Sequence, residues 1–283
     1  MSMKFAIGFI GATFLISGSI WAQNIVGRGA PAKVLFSEDF ESGKIDPTLW
    51  EQRVTGAVEL KVVQDPSAHG KYALLVHYPA DAPRVPQGAP NAGPILGFLV
   101  AKNIPETART HLFGRAYMKI SELPPAHTQI VFADIAGFPS SKYQDIGLNM
   151  PRPGNPGDSP KPLWLVNYQQ MLAATRQEGR GEESWRGDAD PYGKVILVEW
   201  EFNDNPTTTK LWIDGQLINL SQKDQNGDMA QYHWPAGSET NKNLVGGYQE
   251  IGFGARAWGQ VTKSFDILID DIAIDTKRIG PAK

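Results

Sequence analysis

The sequence predicts an all-β sandwich of two antiparallel sheets, and three observations carry that prediction. Short apolar alternations recur between clusters of Gly, Pro, Asn and Asp. Beyond the N-terminal leader, no segment reads as a long amphipathic helix. Segment Val198–Leu217 holds two alternating runs around a polar turn, and the second ends in Asp214-Gly215. That dipeptide supplies the positive φ a tight hairpin needs at both central residues.

Taken in order, strands are predicted at Val34–Phe40, Val58–Val63, Ala73–His77 and Gly97–Val100, each a short apolar run between turn formers. Leu112–Ile120 alternates strictly, and Gln129–Ile135, Leu163–Tyr168 and Val195–Phe202 follow. Lys210–Ile213 and Gln216–Ile218 are the arms of the Asp-Gly turn, and Glu250–Ala255 and Ser264–Asp275 close the series. In the central hairpin Trp200, Phe202, Leu211 and Ile213 share the apolar face, with Glu199, Glu201, Lys210 and Trp212 opposite. Carboxylates, a lysine and a tryptophan on one face form a mixture suited to sugars. Four long loops are expected at Arg84–Pro94, Pro151–Pro162, Gln177–Tyr192 and Ser221–Asn243, walling a groove across one sheet.

The 283-residue chain is read as a signal peptide at 1–22 and one domain at 23–283. Lys4 gives a positive start, Phe5–Ile20 is almost wholly apolar or small, and Ala22 precedes Gln23 at a cleavage point. Gly8, Gly11, Ser17, Gly18 and Ser19 interrupt the run, which argues for an export signal over a membrane anchor. A secreted or periplasmic protein is expected, with no membrane association after cleavage. The chain has no cysteine, so its core, with a metal ion as the other candidate, must do the work of disulfides. A net charge of −3 without a basic run argues against nucleic acid. The expected partner is a polysaccharide, and the expected state is a monomer.

The two ends of the chain carry a resemblance. Phe36-Ser37-Glu38-Asp39-Phe40-Glu41 leads into Asp46-Pro47-Thr48-Leu49-Trp50, and the chain closes with Ile269-Asp270-Asp271-Ile272-Ala273-Ile274. This pair resembles the concanavalin A-like jelly rolls, a superfamily of lectins, laminarinases and polysaccharide lyases. Pro124-Pro125-Ala126-His127-Thr128 and Thr276-Lys277-Arg278-Ile279-Gly280 resemble the group of cellulose-induced secreted proteins, which is similar to glucuronan and alginate lyases. The resemblance implies a jelly-roll sandwich with one concave sheet forming a groove, acting on polysaccharide.

Arg115, Tyr117 and Lys119 share one face of their strand, and His127 and Gln129 share a face of the next. This set suits β-elimination on a uronic-acid polysaccharide. The α-proton of a uronate is weakly acidic, so Arg- or Gln-type donors must neutralise the carboxylate while a Tyr or His moves the proton. Alginate lyases resemble this in using Arg, Gln, His and Tyr, although their Gln-x-His order is reversed here. Tyr168 is a further candidate phenol and Asn167 a further donor, although neighbours on a strand cannot face one groove together. Arg256 and Trp258 are expected to line the same groove, with Trp212, Trp185 and Tyr192 as other stacking candidates and Trp50, Trp164 and Trp200 assigned to the core.

Two other readings stay open: a non-catalytic carbohydrate-binding protein and a laminarinase-type glycoside hydrolase. Glu199 and Glu201 carry the latter as a pair of carboxylates two apart on a strand, or they are simply solvated. The resemblance also implies a structural calcium ion. Glu38 and Asp271 are its expected carboxylates, brought together by terminal-strand pairing, and the loop holding Ser67 and Gly70 adds carbonyls.

Overall fold

Alternating side chains with one apolar face cannot be buried by a single sheet, and the chain solves this by pairing two sheets around a common interior. The computed structural model describes residues 34–81, 95–122, 124, 128–137, 141–150, 163–171, 178–185, 192–204, 207–218, 248–258 and 261–282. The expected leader and His127 lie outside the described residues, as do three of the expected long loops, Arg84–Pro94, Pro151–Pro162 and Ser221–Asn243.

Sheet I contains β1 (Phe36–Glu38), β3 (Glu59–Gln64), β4 (Tyr72–Tyr78), β6 (His111–Ile120), β11 (Ile196–Asp204), β12 (Thr207–Ile213), β13 (Gln216–Leu217) and β15 (Phe265–Asp275). Its order is β13-β12-β11-β6-β15-β4-β3, with β1 also on β15. Sheet II contains β2 (Trp50–Val54), β5 (Ile95–Lys102), β7 (Gln129–Gly137), β8 (Ser141–Asn149), β9 (Leu163–Met171), β10 (Glu178–Trp185) and β14 (Glu250–Trp258). Its order is β10-β9-β8-β7-β14-β5-β2. All strand pairs are antiparallel, including the expected pairing of the first and last strands, where Glu38 stands opposite Ile272.

The core forms where the two inner faces meet. Trp200, Phe202, Leu211 and Ile213 enter it from β11 and β12, and Trp50 and Trp164 enter from sheet II. Tyr78 ties the sheets together: its hydroxyl, wholly buried on β4, donates to the Ala255 carbonyl on β14 at 2.6 Å. Desolvation raises the phenol far above its usual range, which keeps it a donor. Gly114 on β6 lies directly under the Trp200 ring, where a Cβ would collide with the indole. The β12–β13 turn has Asp214 and Gly215 both at positive φ, 49° and 79°, as the dipeptide predicted.

Three strands depart from the sequence reading. The Gln177–Tyr192 loop contains β10, an edge strand paired residue for residue with β9; backbone hydrogen bonding there does not require an apolar pattern. β2 contributes only Trp50 to the core, and β8 only Ile146 and Leu148 among its described side chains, so neither shows a long apolar alternation.

Candidate functional site

Between β6 and β7 the chain crosses from one sheet to the other. β6 pairs with β11 and β15, whereas β7 pairs with β8 and β14. Both strands turn their apolar side chains to the shared interior, so their polar faces point out of opposite sides of the sandwich. The expected convergence of Arg115 and Tyr117 with Gln129 therefore does not occur.

The outward face of sheet I is engaged by the C-terminal segment. Glu199, 1% exposed, accepts hydrogen bonds from Arg278 Nε at 3.1 Å, Arg278 Nη2 at 2.7 Å and the Gly280 N–H at 3.1 Å. Arg115 donates to the Gly280 carbonyl at 2.9 Å, and the Ala282 N–H donates to the Tyr117 hydroxyl at 3.0 Å. Trp212, expected to stack on sugar, is buried beneath the Arg278 guanidinium, 4.5 Å from its ring centre. Glu201 is likewise neither solvated nor set for catalysis: it is buried between His111 at 2.9 Å and Lys210 at 2.7 Å. Lys119 donates to the Ser67 hydroxyl at 3.2 Å. These contacts make Arg115, Tyr117, Glu199 and Trp212 the seat of the chain's own tail.

The expected calcium residues lie near the β15 bulge. The Asp65–Gly70 loop is held to β15 by the His69 N–H, which donates to Asp270 Oδ2 at 2.8 Å. Asp270 is 4% exposed, and burial pushes its carboxyl up to about 6 against the pull of the His69 and Asp271 N–H groups. Glu38, also buried, accepts the Phe40 N–H at 3.0 Å. Asp271, the expected ligand, instead meets the His69 ring at 3.0 Å. No group of three or more acidic or imidazole side chains gathers among the described residues.

The outward face of sheet II brings together what β6 does not. Gln129 stands opposite Trp258, and Val131 opposite Arg256, across β7–β14. Leu96, Phe98, Val100 and Val131 form a small apolar cluster on this face, separate from the main core. The Arg256 guanidinium lies over Phe98, 5.3 Å from its ring centre, and pairs with Asp134. Burial raises the Asp134 carboxyl above its ordinary value, and the Arg256 charge opposes that rise. Asp134 stands opposite Asp145 on β8, and Asp145 opposite Asn167 on β9. Arg53 on β2 grips Glu250 with two bonds of 2.8 Å, which holds its guanidinium charged. Trp258 is 42% exposed. Tyr168 stands opposite Gln144, one residue along from Asn167.

Asp134, Asp145, Phe98, Arg53 and Glu250 were missed from sequence. Simple alternation from Gln129 assigns Asp134 to the interior beside Ile130 and Phe132. A bulge between Val131 and Ala133 shifts the register and turns Asp134 outward. A second bulge lies between Phe253 and Arg256, where Gly254 has φ 150° and a Cβ would strike the Gly97 carbonyl.

The two packed antiparallel sheets make the fold a jelly-roll sandwich. Three solved structures share it over most of the chain. Cellulose induced protein Cip1 matches at 17% identity over 87% of this chain and 100% of its own, with a TM-score of 0.52. An endo-β-1,4-glucuronan lyase from the fungus Trichoderma reesei matches at 13% identity over 87% and 96%, with a TM-score of 0.51. SCLam, a non-specific endo-β-1,3(4)-glucanase from family GH16, matches at 9% over 86% and 90%, with a TM-score of 0.50. No family model matches the chain, and no curated protein does. At these identities the likeness establishes the fold.

Proposed function

We propose that the chain is a secreted carbohydrate-active protein whose polysaccharide site is the outward face of sheet II, and that it cleaves uronic-acid polysaccharide by β-elimination. The observation that carries this reading is the grouping of Gln129, Arg256 and Trp258 on adjacent strands of one face, beside Phe98. A guanidinium and an amide match the planar carboxylate of a uronate, and withdrawing its charge acidifies the α-proton. Trp258 offers an exposed ring for stacking on the apolar face of a sugar. Arg256 takes the neutralising role first assigned to Arg115. His127 is the proposed proton-moving group; Tyr168, one residue along β9 from Asn167 and paired in register with Gln144, has the opposite parity and is not assigned to this face. The lyase and glucanase among the structural neighbours support a carbohydrate substrate.

Calcium belongs to the same proposal as a structural ion. Glu38 and Asp270 are buried carboxylates, and Ser67 and Gly70 sit on the loop tied to Asp270, so carboxylate and carbonyl oxygens would hold it. Its contribution would be to neutralise buried negative charge.

The test is incubation with a panel of uronic-acid polysaccharides, following ultraviolet absorbance and reducing ends together. Elimination produces an unsaturated, absorbing end, and Arg256→Ala abolishes it. Reducing ends without absorbance would make the protein a hydrolase. Tight binding with neither product would make it a non-catalytic binder.

A further inference from the structure

Among the described side chains on the outward face of sheet II, each arginine is already opposed by a carboxylate. Arg53 holds Glu250 through two 2.8 Å bonds and Glu51 through a third of 2.8 Å. Arg256 pairs with Asp134. Behind Asp134 stands a second acid, Asp145, directly opposite it in the β7–β8 register and 1% exposed. Directly opposed residues of an antiparallel pair lie side by side on one face. Glu250, on the same strand and face as Arg256, adds further negative potential at Asp134, and the more distant Arg53 offsets it in part.

A uronate that engages Arg256 therefore brings a carboxylate to a guanidinium that already has one. The arrangement can respond by discharging the carboxylate least able to stay ionised. We propose that Asp134 takes up a proton from solvent when a uronate carboxylate binds Arg256, so that glycan binding at this face is linked to protonation. This rests on the reading of the preceding subsection and names how that site is regulated. Asp134 is the group placed to respond. Burial already lifts its carboxyl, and the Arg256 charge is the largest influence holding the proton off. Once that charge is shared with the substrate, the restraint weakens. On the β14 side Asp134 faces Gly252, where a Cβ would come within 2.5 Å of Oδ1. The missing side chain is what lets the carboxyl lie against β14 on this face, where its new O–H can be donated to the substrate carboxylate or to Asp145.

The sign follows from linkage. A group that gains affinity for its proton on binding makes binding weaker as pH rises through the interval between its free and bound pKa values. The slope approaches tenfold per pH unit for one proton.

The experiment is titration calorimetry of the full chain with a glucuronan or alginate oligosaccharide, at one pH in buffers of different ionisation enthalpy and then across pH. The expected result is net proton uptake approaching one per bound oligosaccharide, with affinity falling as pH rises. Asp134→Asn should bind without uptake and with a flat pH profile, its folding verified by its melting temperature. Binding by the unmodified protein with identical enthalpy in every buffer overturns the proposal and leaves the site intact. So does an Asp134→Asn variant that keeps the pH slope. Failure of every oligosaccharide to bind at any pH overturns the site itself, and this inference with it.

Discussion

Replacing Arg278 with alanine asks whether the outward face of sheet I is a seat for the tail or a site for chemistry. Glu199 is almost wholly buried and takes three hydrogen bonds from the tail, two of them from this guanidinium. The guanidinium also covers Trp212. Exposed ion pairs contribute about 0–1 kcal/mol, and breaking a buried one costs about 3–5 kcal/mol. The Arg278 side chain is 41% exposed, so water reaches Glu199 once the guanidinium is gone. The loss should fall between the two limits, at about 2 kcal/mol, including about 0.5–1 kcal/mol of cation–π contact. In a chain of this size that lowers Tm by roughly 4–8 °C. Calorimetry measures the shift, and near-ultraviolet dichroism should report the altered surroundings of Trp212. Oligosaccharide affinity should be unchanged. A Tm within 1 °C of the parent, or lost glycan binding at unchanged Tm, would refute the structural role.

Four further outcomes follow from the same geometry. Arg115→Ala should cost about 1–2 kcal/mol through its lost bond to the tail carbonyl, measured by denaturant unfolding, and leave any elimination rate unaltered. Gly114→Ala drives a methyl into the Trp200 ring and should destabilise by about 1–3 kcal/mol in the same assay. Trp258→Ala should weaken oligosaccharide binding by roughly tenfold without lowering Tm, because the ring is half-exposed and gives up stacking more than packing. Verified removal of divalent metal by a chelator should lower Tm, and Asp270→Asn should lower it with no further response to chelator; an unchanged Tm in the unmodified protein rejects the calcium proposal.

Most of the fold is legible in the sequence because burial imposes a period of two on the chain. Phe202, Leu211 and Ile213 alternate with polar residues, and they occupy the core as that alternation predicts. The β12–β13 turn is legible because two adjacent positive φ values admit few dipeptides. The site is less legible, for two physical reasons. Alternation assigns residues to a face of their own strand, but it carries no information on which sheet the strand joins. Arg115 and Gln129 each lie on the outward face of their strand, yet on opposite sides of the molecule. Bulges then break the parity itself, and the one in β7 brings Asp134 to the same face as Gln129. The tail is illegible for a third reason: Glu199 looks solvated until a segment about eighty residues later folds over it.

The central claim is that glycan is engaged on the outward face of sheet II. A crystal structure with a bound uronic-acid oligosaccharide tests it most directly. The account predicts a sugar carboxylate within hydrogen-bond distance of Arg256, close to Gln129, with a sugar ring stacked on Trp258. Oligosaccharide bound instead at Arg115 and Tyr117, with the C-terminal segment displaced, would contradict it.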